Sequence, residues 1–399
     1  MENFDCIIVG AGIVGLATAY KLVSIRPELK VCVLDKENRV GRHQTGNNSG
    51  VIHSGIYYRP GSAKALNCKK GYNELITFAE EHGIDYELCG KIIVASDESE
   101  INSLNKIYER GLANGLENLQ LLGSNEIKER EPHVSGKKAI WVPQAGIIDY
   151  GEVANTYRIQ FENKGGTVKL SHKVIGISEL SGKVYVETDK CELEAKTLIN
   201  CAGLHSDRIA KMVATGIGYK VLPFRGEFYK LKEEKRTMVN GLIYPVPNPK
   251  FPFLGVHFTK TIHGGVEAGP NAVLAMKREG YRKTDINLRD FMETLFYPGF
   301  QKIAMRYWQE GLAEQYRSWS KKAFVKSLQK LVPEVRIEDL EKGHSGVRAQ
   351  ACTTSGELID DFHFVQSGSI LNVCNSPSPA ATASLSIGES IVGRIQSLI

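Results

Sequence analysis

The fold of this chain is decided by a stretch near its start, Phe4-Asp5-Cys6-Ile7-Ile8-Val9-Gly10-Ala11-Gly12-Ile13-Val14-Gly15. The apolar run before Gly10 is typical of a parallel strand that is buried on both faces. Small apolar residues after Gly15 predict a helix, which Pro27 ends. The segment Lys30–Asp35 predicts a second strand, so the chain opens with a strand–helix–strand unit.

The glycines of this stretch follow the pattern GxGxxG between strand and helix, which is typical of a dinucleotide-binding turn. Gly10 permits the tight turn, Gly12 lets backbone N–H groups approach a pyrophosphate, and Gly15 lets the helix pack close to the strand. Asp35 ends the second strand, where a carboxylate can accept a hydrogen bond from a ribose hydroxyl. An acid there disfavours NADP, because it would repel the 2′-phosphate.

Two further segments favour FAD over NAD. The polar loop Thr45-Gly46-Asn47-Asn48-Ser49-Gly50 follows the second strand and offers consecutive backbone donors for a long cofactor. The segment Ser378-Pro379-Ala380-Ala381-Thr382 predicts a helix start, with Ser378 as N-cap and Pro379 as the first helical residue. The positive end of that helix could stabilise the negative charge of a reduced flavin. Alone, the segment is better explained as a packing helix; together with the glycine motif it predicts FAD.

Composition is that of a globular protein with room for two domains. The chain has 399 residues, of which 42% are hydrophobic and 24% charged, and its net charge is +5. Lys and Arg are spread along the chain, so we expect no nucleic-acid partner, and the mild positive charge suits a small anionic substrate. The eight cysteines have no CxxC pair and no metal-ligand spacing. We therefore expect buried thiols in a reducing compartment and no metal site.

Localisation follows from two further features of the sequence. No run of about 18 apolar residues exists, and no presequence precedes the first strand. We therefore expect a cytoplasmic protein. Peripheral contact with the inner membrane stays open.

The order of the segments predicts an α/β fold. We expect a Rossmann-like FAD-binding domain with a three-layer, mostly parallel sheet, and an inserted α+β substrate domain on a mostly antiparallel sheet. Both ends of the chain have the character of the nucleotide domain, so this domain is predicted to be discontinuous. The predicted FAD-binding domain comprises residues 1–83, 146–216 and 335–399. The predicted substrate-binding domain comprises residues 84–145 and 217–334.

Further segments, in order along nearly the whole chain, carry a resemblance to a known family. They are His43-Gln44-Thr45-Gly46, residues 48–58, Pro223-Phe224-Arg225-Gly226-Glu227, Phe251-Pro252-Phe253-Leu254-Gly255-Val256-His257, Gly346-Val347-Arg348-Ala349-Gln350 and residues 376–382. The chain resembles the L-2-hydroxyglutarate dehydrogenase/oxidase family, in the group of FAD enzymes that includes glycine oxidase and D-amino-acid oxidase. The resemblance implies oxidation of L-2-hydroxyglutarate, a small dicarboxylate, to 2-oxoglutarate by hydride transfer to flavin N5. Oxygen, a quinone or another carrier would accept the electrons.

Two positions depart from the family's pattern. Asn47 stands where the family has a histidine, in Thr-Gly-His-Asn-Ser-Gly. If that histidine touches flavin or substrate, turnover or flavin potential would differ in this chain. Asp35 stands where the family more often has glutamate, which is a minor change for a ribose contact.

Oxidation of a 2-hydroxy acid needs a base for the hydroxyl proton, and two histidines are candidates. Strand alternation in residues 254–259 puts His257 opposite the apolar face, and an imidazole titrates near neutral pH. His53 lies in a Gly-flanked segment that can pass over a flavin face. We expect His257 as the first candidate and His53 as the second; which of them is the base and which orients the substrate stays open.

The carboxylates of the substrate need cations and hydrogen-bond donors. Related amine oxidases place an arginine from a segment equivalent to that of Arg348 on the substrate carboxylate. Arg225 is a second candidate, with an ion pair to Glu227 as the alternative. Tyr57 and Gln350 complete the predicted substrate site.

We assign the cofactor site to the glycine motif, the polar loop and several later segments. Its predicted residues are Gly10, Gly12, Ile13, Val14, Gly15, Asp35, Lys36, Thr45, Gly46, Asn48, Ser49, Val174, Ala202, Gly203, Gly346, Ser378, Pro379 and Ala380.

Two alternative functions stay open. The flavin could oxidise another small substrate, such as an amino acid, an amine or glycerol 3-phosphate. A non-catalytic flavoprotein is the other alternative, and Asn47 is its only support.

Overall fold

The computed structural model describes residues 1–214, 216–248, 254–396 and 398. Residues 251–253, which belong to one of the segments that carry the family resemblance, lie outside this description. The described strands are β1 (Glu2–Val9), β2 (Val31–Leu34), β3 (Val51–Ile52), β4 (Tyr86–Glu87), β5 (Lys91–Ala95), β6 (Gln120–Gly123), β7 (Lys138–Val142), β8 (Gly146–Ile148), β9 (Thr167–Lys169), β10 (Val174–Leu180), β11 (Lys183–Thr188), β12 (Glu192–Asn200), β13 (Tyr219–Leu231), β14 (Leu242–Pro245), β15 (His257–Lys260), β16 (Val266–Gly269), β17 (Val273–Leu274), β18 (Leu340–Thr353), β19 (His363–Ser367) and β20 (Ile370–Asn375). The described α-helices are α1 (Ile13–Ile25), α2 (Ala63–His82), α3 (Ile101–Ala113), α4 (Ser124–Arg130), α5 (Tyr150–Asn163), α6 (Ser206–Ala210), α7 (Leu288–Leu295), α8 (Pro298–Arg306), α9 (Trp308–Trp319), α10 (Lys321–Leu328) and α11 (Ser384–Ile395).

The first sheet is built around β1, with the described strands in the order β10-β11-β12-β1-β2-β9 and with β20 and β19 attached through β12. The pairs of β1 with β12 and β2, of β2 with β9 and of β12 with β20 are parallel. Along β1, Cys6 and Ile8 pack against α1, α5 and α11, whereas Ile7 and Val9 pack against residues of β10 and β11. Both faces of β1 are therefore covered, which explains its continuous apolar run. The predicted three-layer, mostly parallel sheet is confirmed.

The second sheet has the described strands in the order β17-β13-β16-β15-β14-β5-β7-β6, with β18 paired to β13. Its pairs are antiparallel except for β14 with β5. One face is covered by α10, whose Phe324 and Leu328 belong to the same hydrophobic cluster as residues of β5 and β15. β18 belongs to this sheet, although it lies within the segment 335–399 that we assigned to the FAD-binding domain. The division of the chain into domains stays a prediction, and this strand places part of that segment on the second sheet.

One predicted helix start is wrong. α11 begins at Ser384 with Ala383 as its N-cap, rather than at Pro379 with Ser378 as N-cap. Residues 377–384 form consecutive turns, in which backbone N–H groups bond to carbonyls three and four residues earlier. This segment therefore reaches the interior as a loop.

Tertiary contacts hold this loop. The Thr382 hydroxyl lies 2.6 Å from the Tyr150 hydroxyl and accepts a hydrogen bond from the backbone N–H of His53 at 3.1 Å. Both partners are more than two hundred residues away along the chain, so local capping signals could not reveal them.

The described helices include none that combines the length and the apolarity of a membrane span.

Candidate active site

A cavity of about 1440 Å³ extends from the carboxyl ends of β1 and β2 to the second sheet. This volume exceeds the 300–1,000 Å³ that is typical of pockets for one small ligand, so the cavity has room for a dinucleotide and a substrate. Most of the predicted site residues line it. Those that do not line it are Gly15, Gly46, Tyr57 and Arg225.

The glycine turn has the geometry that its sequence predicts. Gly10 has a φ of 111°, and a Cβ there would lie 2.5 Å from the Cys201 carbonyl oxygen. A Cβ on Gly15 would lie 2.0 Å from the Gly10 oxygen, so Gly15 lets α1 pack against the turn from outside the cavity. At Gly12 the nearest atom to a Cβ would be Thr45 Oγ1 at 3.5 Å. The backbone at Gly12 is therefore open to the cavity, as close approach of a pyrophosphate requires.

Asp35 and Thr45 fix this turn through backbone hydrogen bonds. Asp35 accepts from the N–H of Ala11 at 2.7 Å and from that of Glu37 at 2.8 Å. Burial raises the pKa of Asp35 above its usual value, and these two bonds oppose the rise. Thr45 Oγ1 accepts from the N–H of Ile13, at the start of α1. The polar loop is thus tied to the helix that faces the cofactor end of the cavity.

His257 lies on β15 and lines the cavity, with 5% of its surface exposed. Its Nδ1 lies 2.9 Å from the Gly255 carbonyl oxygen, which can only accept, so Nδ1 carries the proton and Nε2 has the lone pair. Burial lowers the pKa of His257 to about 3, and the nearby positive charges of Arg348 and Lys91 contribute. The ring also stacks on Tyr244, with centroids 3.9 Å apart. His257 is therefore a neutral, oriented imidazole that can accept a proton.

His53 lines the same cavity in a different environment. Its Nε2 lies 3.2 Å from the Ser378 hydroxyl, and its carbonyl oxygen accepts from the thiol of Cys68. Burial lowers the pKa of His53 to about 3, with smaller contributions from Lys91 and His257. Both predicted histidines are neutral, but the Nε2 of His53 is already engaged by a side chain.

The two predicted arginines lie on opposite faces of the second sheet. The register of β13 with β18 pairs Phe224 with Arg348, so alternation places Arg225 on the other face. Arg348 lines the cavity, whereas Arg225 is buried in an ion pair with Glu227, with Nη2 3.0 Å from Oε1. The predicted substrate contact of Arg225 is wrong, and the alternative, the ion pair, is what forms.

The other two predicted substrate residues, Gln350 and Tyr57, offer no free donor at the cavity wall. Gln350 lines the cavity, but its amide NH₂ donates to the carbonyls of Ala351 and Ile359. Tyr57 does not line the cavity. Its hydroxyl is buried and has no hydrogen-bond partner among the residues that the structure describes.

Comparison with known proteins identifies the family. A family model described as FAD dependent oxidoreductase matches residues 5–394. The L-2-hydroxyglutarate dehydrogenase of Indibacter alkaliphilus is 51% identical over 390 residues, which are 98% of each chain. That of Escherichia coli (strain K12) is 42% identical over 397 residues, which are 99% of this chain and 94% of the relative.

This chain belongs to the L-2-hydroxyglutarate dehydrogenase family of FAD-dependent oxidoreductases. The expected family is confirmed, and FAD is the cofactor. The fold agrees with solved structures as well. L-α-glycerophosphate oxidase from Mycoplasma pneumoniae, solved with FAD bound, superposes with a TM-score of 0.81 at 22% identity, over 99% of this chain and 95% of that one.

The residues present fit the FAD of this family. The open backbone at Gly12 and the start of α1 suit the pyrophosphate. Asp35 stands at the end of β2 for the ribose, and the loop of residues 376–381 lines the cavity near His53. The nucleotide end is thus built mainly from backbone, and the opposite end from side chains.

Sequence reasoning missed two residues beside the histidines, Lys91 and Tyr244. Lys91 is 1% exposed on β5, and its Nζ lies 4.8 Å from the ring centroid of Tyr57 and 5.0 Å from that of Tyr244. Burial lowers the pKa of Lys91 to about 8. The only signal in the sequence is a lysine directly before the apolar run Ile92-Ile93-Val94-Ala95, a pattern that usually indicates an exposed strand end.

Proposed function

We propose that this protein oxidises L-2-hydroxyglutarate to 2-oxoglutarate and that His257 is the base that takes the hydroxyl proton. The observation that carries the proposal is the state of His257, a buried neutral imidazole whose Nδ1–H is held by Gly255. Arg348 supports the proposal, because this cation lines the same cavity and its positive charge helps to lower the pKa of His257. The names of the relatives supply the substrate.

The side chains of this chain divide the work of the reaction. Bound FAD supplies an acceptor for the hydride from C2. Arg348 binds a carboxylate of the substrate and so fixes the position of C2, while Nε2 of His257 accepts the hydroxyl proton. The carbonyl of Gly255 then stabilises the resulting imidazolium through Nδ1–H. His53, held by Ser378, orients the substrate beside it. The final electron acceptor, which is oxygen, a quinone or another carrier, lies outside this chain.

Anaerobic mixing tests the substrate. L-2-hydroxyglutarate should bleach the flavin absorbance near 450 nm (roughly, for flavins in general), whereas D-2-hydroxyglutarate, glycine and glycerol 3-phosphate should not. Bleaching by glycine or glycerol 3-phosphate, with none by L-2-hydroxyglutarate, would assign the protein to one of the alternative substrates. Absence of bleaching with all four would favour a non-catalytic flavoprotein.

We also propose that helices α7 and α9 contact a membrane peripherally. On α9, Trp308, Leu312, Tyr316 and Trp319 are spaced along one side of the helix, and each is at least 58% exposed. Exposed Leu288, Met292 and Leu295 form a similar stripe on α7. Aromatic and aliphatic residues beside basic ones suit an interface with anionic lipid. The basic residues of this region are Arg282, Lys283, Arg289, Lys302, Arg306, Arg317, Lys321 and Lys322.

Co-sedimentation with vesicles of phosphatidylglycerol tests this contact. The protein should sediment with these vesicles and less with phosphatidylcholine, and W308S/W319S should lower the affinity for the vesicles at least about 30-fold, since the two aromatics together contribute roughly 2–4 kcal/mol of apolar burial. Sedimentation that is equal for the variant and the unmodified protein would contradict the contact.

A further inference from the structure

Lys91 is a buried cation in the middle of the second sheet. β5 pairs with β14 on one side and with β7 on the other, and Lys91 stands opposite Leu242 and Val142. Among the residues that the structure describes, no carboxylate pairs with its ammonium, whose neighbours are the rings of Tyr57 and Tyr244. Burial of a charge without an anion is unfavourable, and two aromatic faces compensate only part of the loss of hydration. Such a group is poised to attract an anion.

Strand pairing directs Lys91 toward the base. Lys91 pairs with Leu242, and Leu242 pairs with Thr259, so their side chains share one face of the sheet. Alternation by two residues places Tyr244 and His257 on this same face. The ring of Tyr244 contacts both, since Lys91 Nζ lies 5.0 Å from its centroid and the imidazole of His257 stacks on it. The ammonium is therefore one aromatic ring away from the imidazole that lines the cavity.

A dicarboxylate bound at the substrate end of the cavity requires one cation in addition to Arg348. A 2-hydroxy dicarboxylate brings two negative charges, and Arg348 can pair with one of them. Arg225 is paired with Glu227 on the opposite face of the sheet. Lys64 lines the cavity but is paired with Asp360, with Nζ 2.7 Å from Oδ1.

We propose that Lys91 is the specificity-determining cation of this site. Its ammonium favours a substrate that carries a second carboxylate over a 2-hydroxy acid with an apolar side chain. Neither Lys91 nor Tyr57 lines the cavity, so the ammonium acts on this carboxylate across the ring of Tyr244, which does line it. This inference rests on the proposed function and deepens it, because it names the residue that selects the dicarboxylate.

The test compares Lys91→Met and Lys91→Arg with two substrates, L-2-hydroxyglutarate and L-2-hydroxypentanoate, which has a methyl group in place of the second carboxylate. Lys91→Met should raise KM for L-2-hydroxyglutarate about 100-fold, as expected when one partner of a buried charge pair is removed. The kcat/KM of Lys91→Met for L-2-hydroxypentanoate should differ from that of the unmodified protein by less than about threefold. Lys91→Arg should keep most of the preference. An equal loss with both substrates would indicate a structural role and overturn the proposal.

Lys64→Met is the matched control, because Lys64 is the competing lysine at the cavity wall. We expect less than a threefold change in the preference. If Lys64→Met rather than Lys91→Met abolishes the preference, Lys64 is the selecting cation and the proposal fails. FAD content and thermal midpoint, measured for each variant, detect a loss of folding.

Binding without turnover separates this proposal from the proposed function. Glutarate and pentanoate are titrated into the FAD-bound protein, and their affinities are read from the perturbation of the flavin spectrum. If the unmodified protein prefers glutarate and Lys91→Met removes this preference, the role of Lys91 is supported even if L-2-hydroxyglutarate fails to reduce the flavin. If Lys91→Met keeps the preference for glutarate, the proposed role of Lys91 is overturned.

The pH dependence of the unmodified protein provides a test that does not depend on a variant folding. The groups that face Lys91 titrate elsewhere: the pKa values of His53 and His257 are lowered to about 3, that of Cys68 is raised to about 12, and those of Tyr57 and Tyr244 are raised. Lys91 itself is protonated below its pKa of about 8. Above this pH, KM for L-2-hydroxyglutarate should rise up to tenfold per pH unit, while KM for L-2-hydroxypentanoate stays level. Parallel curves for the two substrates contradict the proposal.

Discussion

The two ends of the cavity are built in different ways. At the nucleotide end, Gly10, Gly12 and the start of α1 present backbone, and a single local turn supplies them. At the substrate end, the titratable or charged side chains of His53, Lys91, His257 and Arg348 lie near one another, and they come from four separate segments. Backbone contacts need room, which glycine provides locally. Side-chain contacts need the correct face of a strand, which depends on register.

The largest effect is expected at the nucleotide end. In Gly15→Ala the new Cβ would lie 2.0 Å from the Gly10 oxygen, so the backbone of the turn must shift. We expect loss of most bound FAD and a stability lower by about 3 kcal/mol, measured by the flavin-to-protein absorbance ratio and by denaturant unfolding.

Gly311→Ala is the matched control, because Gly311 also lies in a helix and a Cβ there would meet open space. Alanine is the better helix former by about 1 kcal/mol, so this variant should be neutral or stabilised. If Gly15→Ala retained FAD as Gly311→Ala does, the geometric account of the turn would be wrong.

Removal of His257, the proposed base, should have the next largest effect. His257→Gln should lower kcat by a factor of about 10² to 10⁴ with FAD content unchanged. His257 is the active neutral form above its pKa of about 3 and is protonated only as the pH falls toward that value. The unmodified protein should therefore show no acidic limb in kcat/KM between pH 5 and 8. A limb near the ordinary histidine value of about 6.5 would contradict this assignment.

Arg348 and Arg225 sharpen the comparison, because they have the same side chain and lie on opposite faces of the second sheet. Arg348→Met should raise KM about 100-fold with little loss of stability, as one charged contact to substrate is removed. Arg225→Met should leave KM within about threefold and lower stability by roughly 3–5 kcal/mol, because Glu227 would lose its buried partner. Steady-state kinetics and urea unfolding of both variants measure the two effects. If Arg225→Met raised KM and Arg348→Met lowered stability instead, Arg225 rather than Arg348 would face the cavity.

The smallest effect is expected in the polar loop. The side-chain NH₂ of Asn47 donates to the carbonyls of Arg42 and His43, so these hydrogen bonds are local, although Asn47 also lines the cavity. Asn47→His, which restores the family's residue, should change kcat by less than about threefold, since one ring N–H can replace part of this bonding. Stopped-flow reduction measures the rate, and a change above tenfold would show that position 47 acts on the flavin or the substrate.

Features set by neighbours in the chain were predictable. α2 runs from Ala63 to His82, with the Ser62 hydroxyl accepting from the N–H of Ala65 and with Gly83 in the left-handed conformation at φ 66°. These signals act within four residues. The start of α11 was not predictable from such local signals, because it depends on contacts that are distant in sequence. These contacts are the hydrogen bonds of Thr382 with Tyr150 and with His53.

The sequence by itself determined the nucleotide-binding turn, its strand–helix–strand frame, the FAD cofactor and two histidines, His53 and His257, that line the cavity. Glycine patterns and apolar runs encode these locally, and the family segments extend them along the chain. Only the tertiary structure decided that Arg348 faces the cavity while Arg225 pairs with Glu227, and that Lys91 is buried beside the ring of Tyr244. The reason is that the face and the burial of a strand residue depend on register with strands far away in sequence, and burial in turn sets the charge.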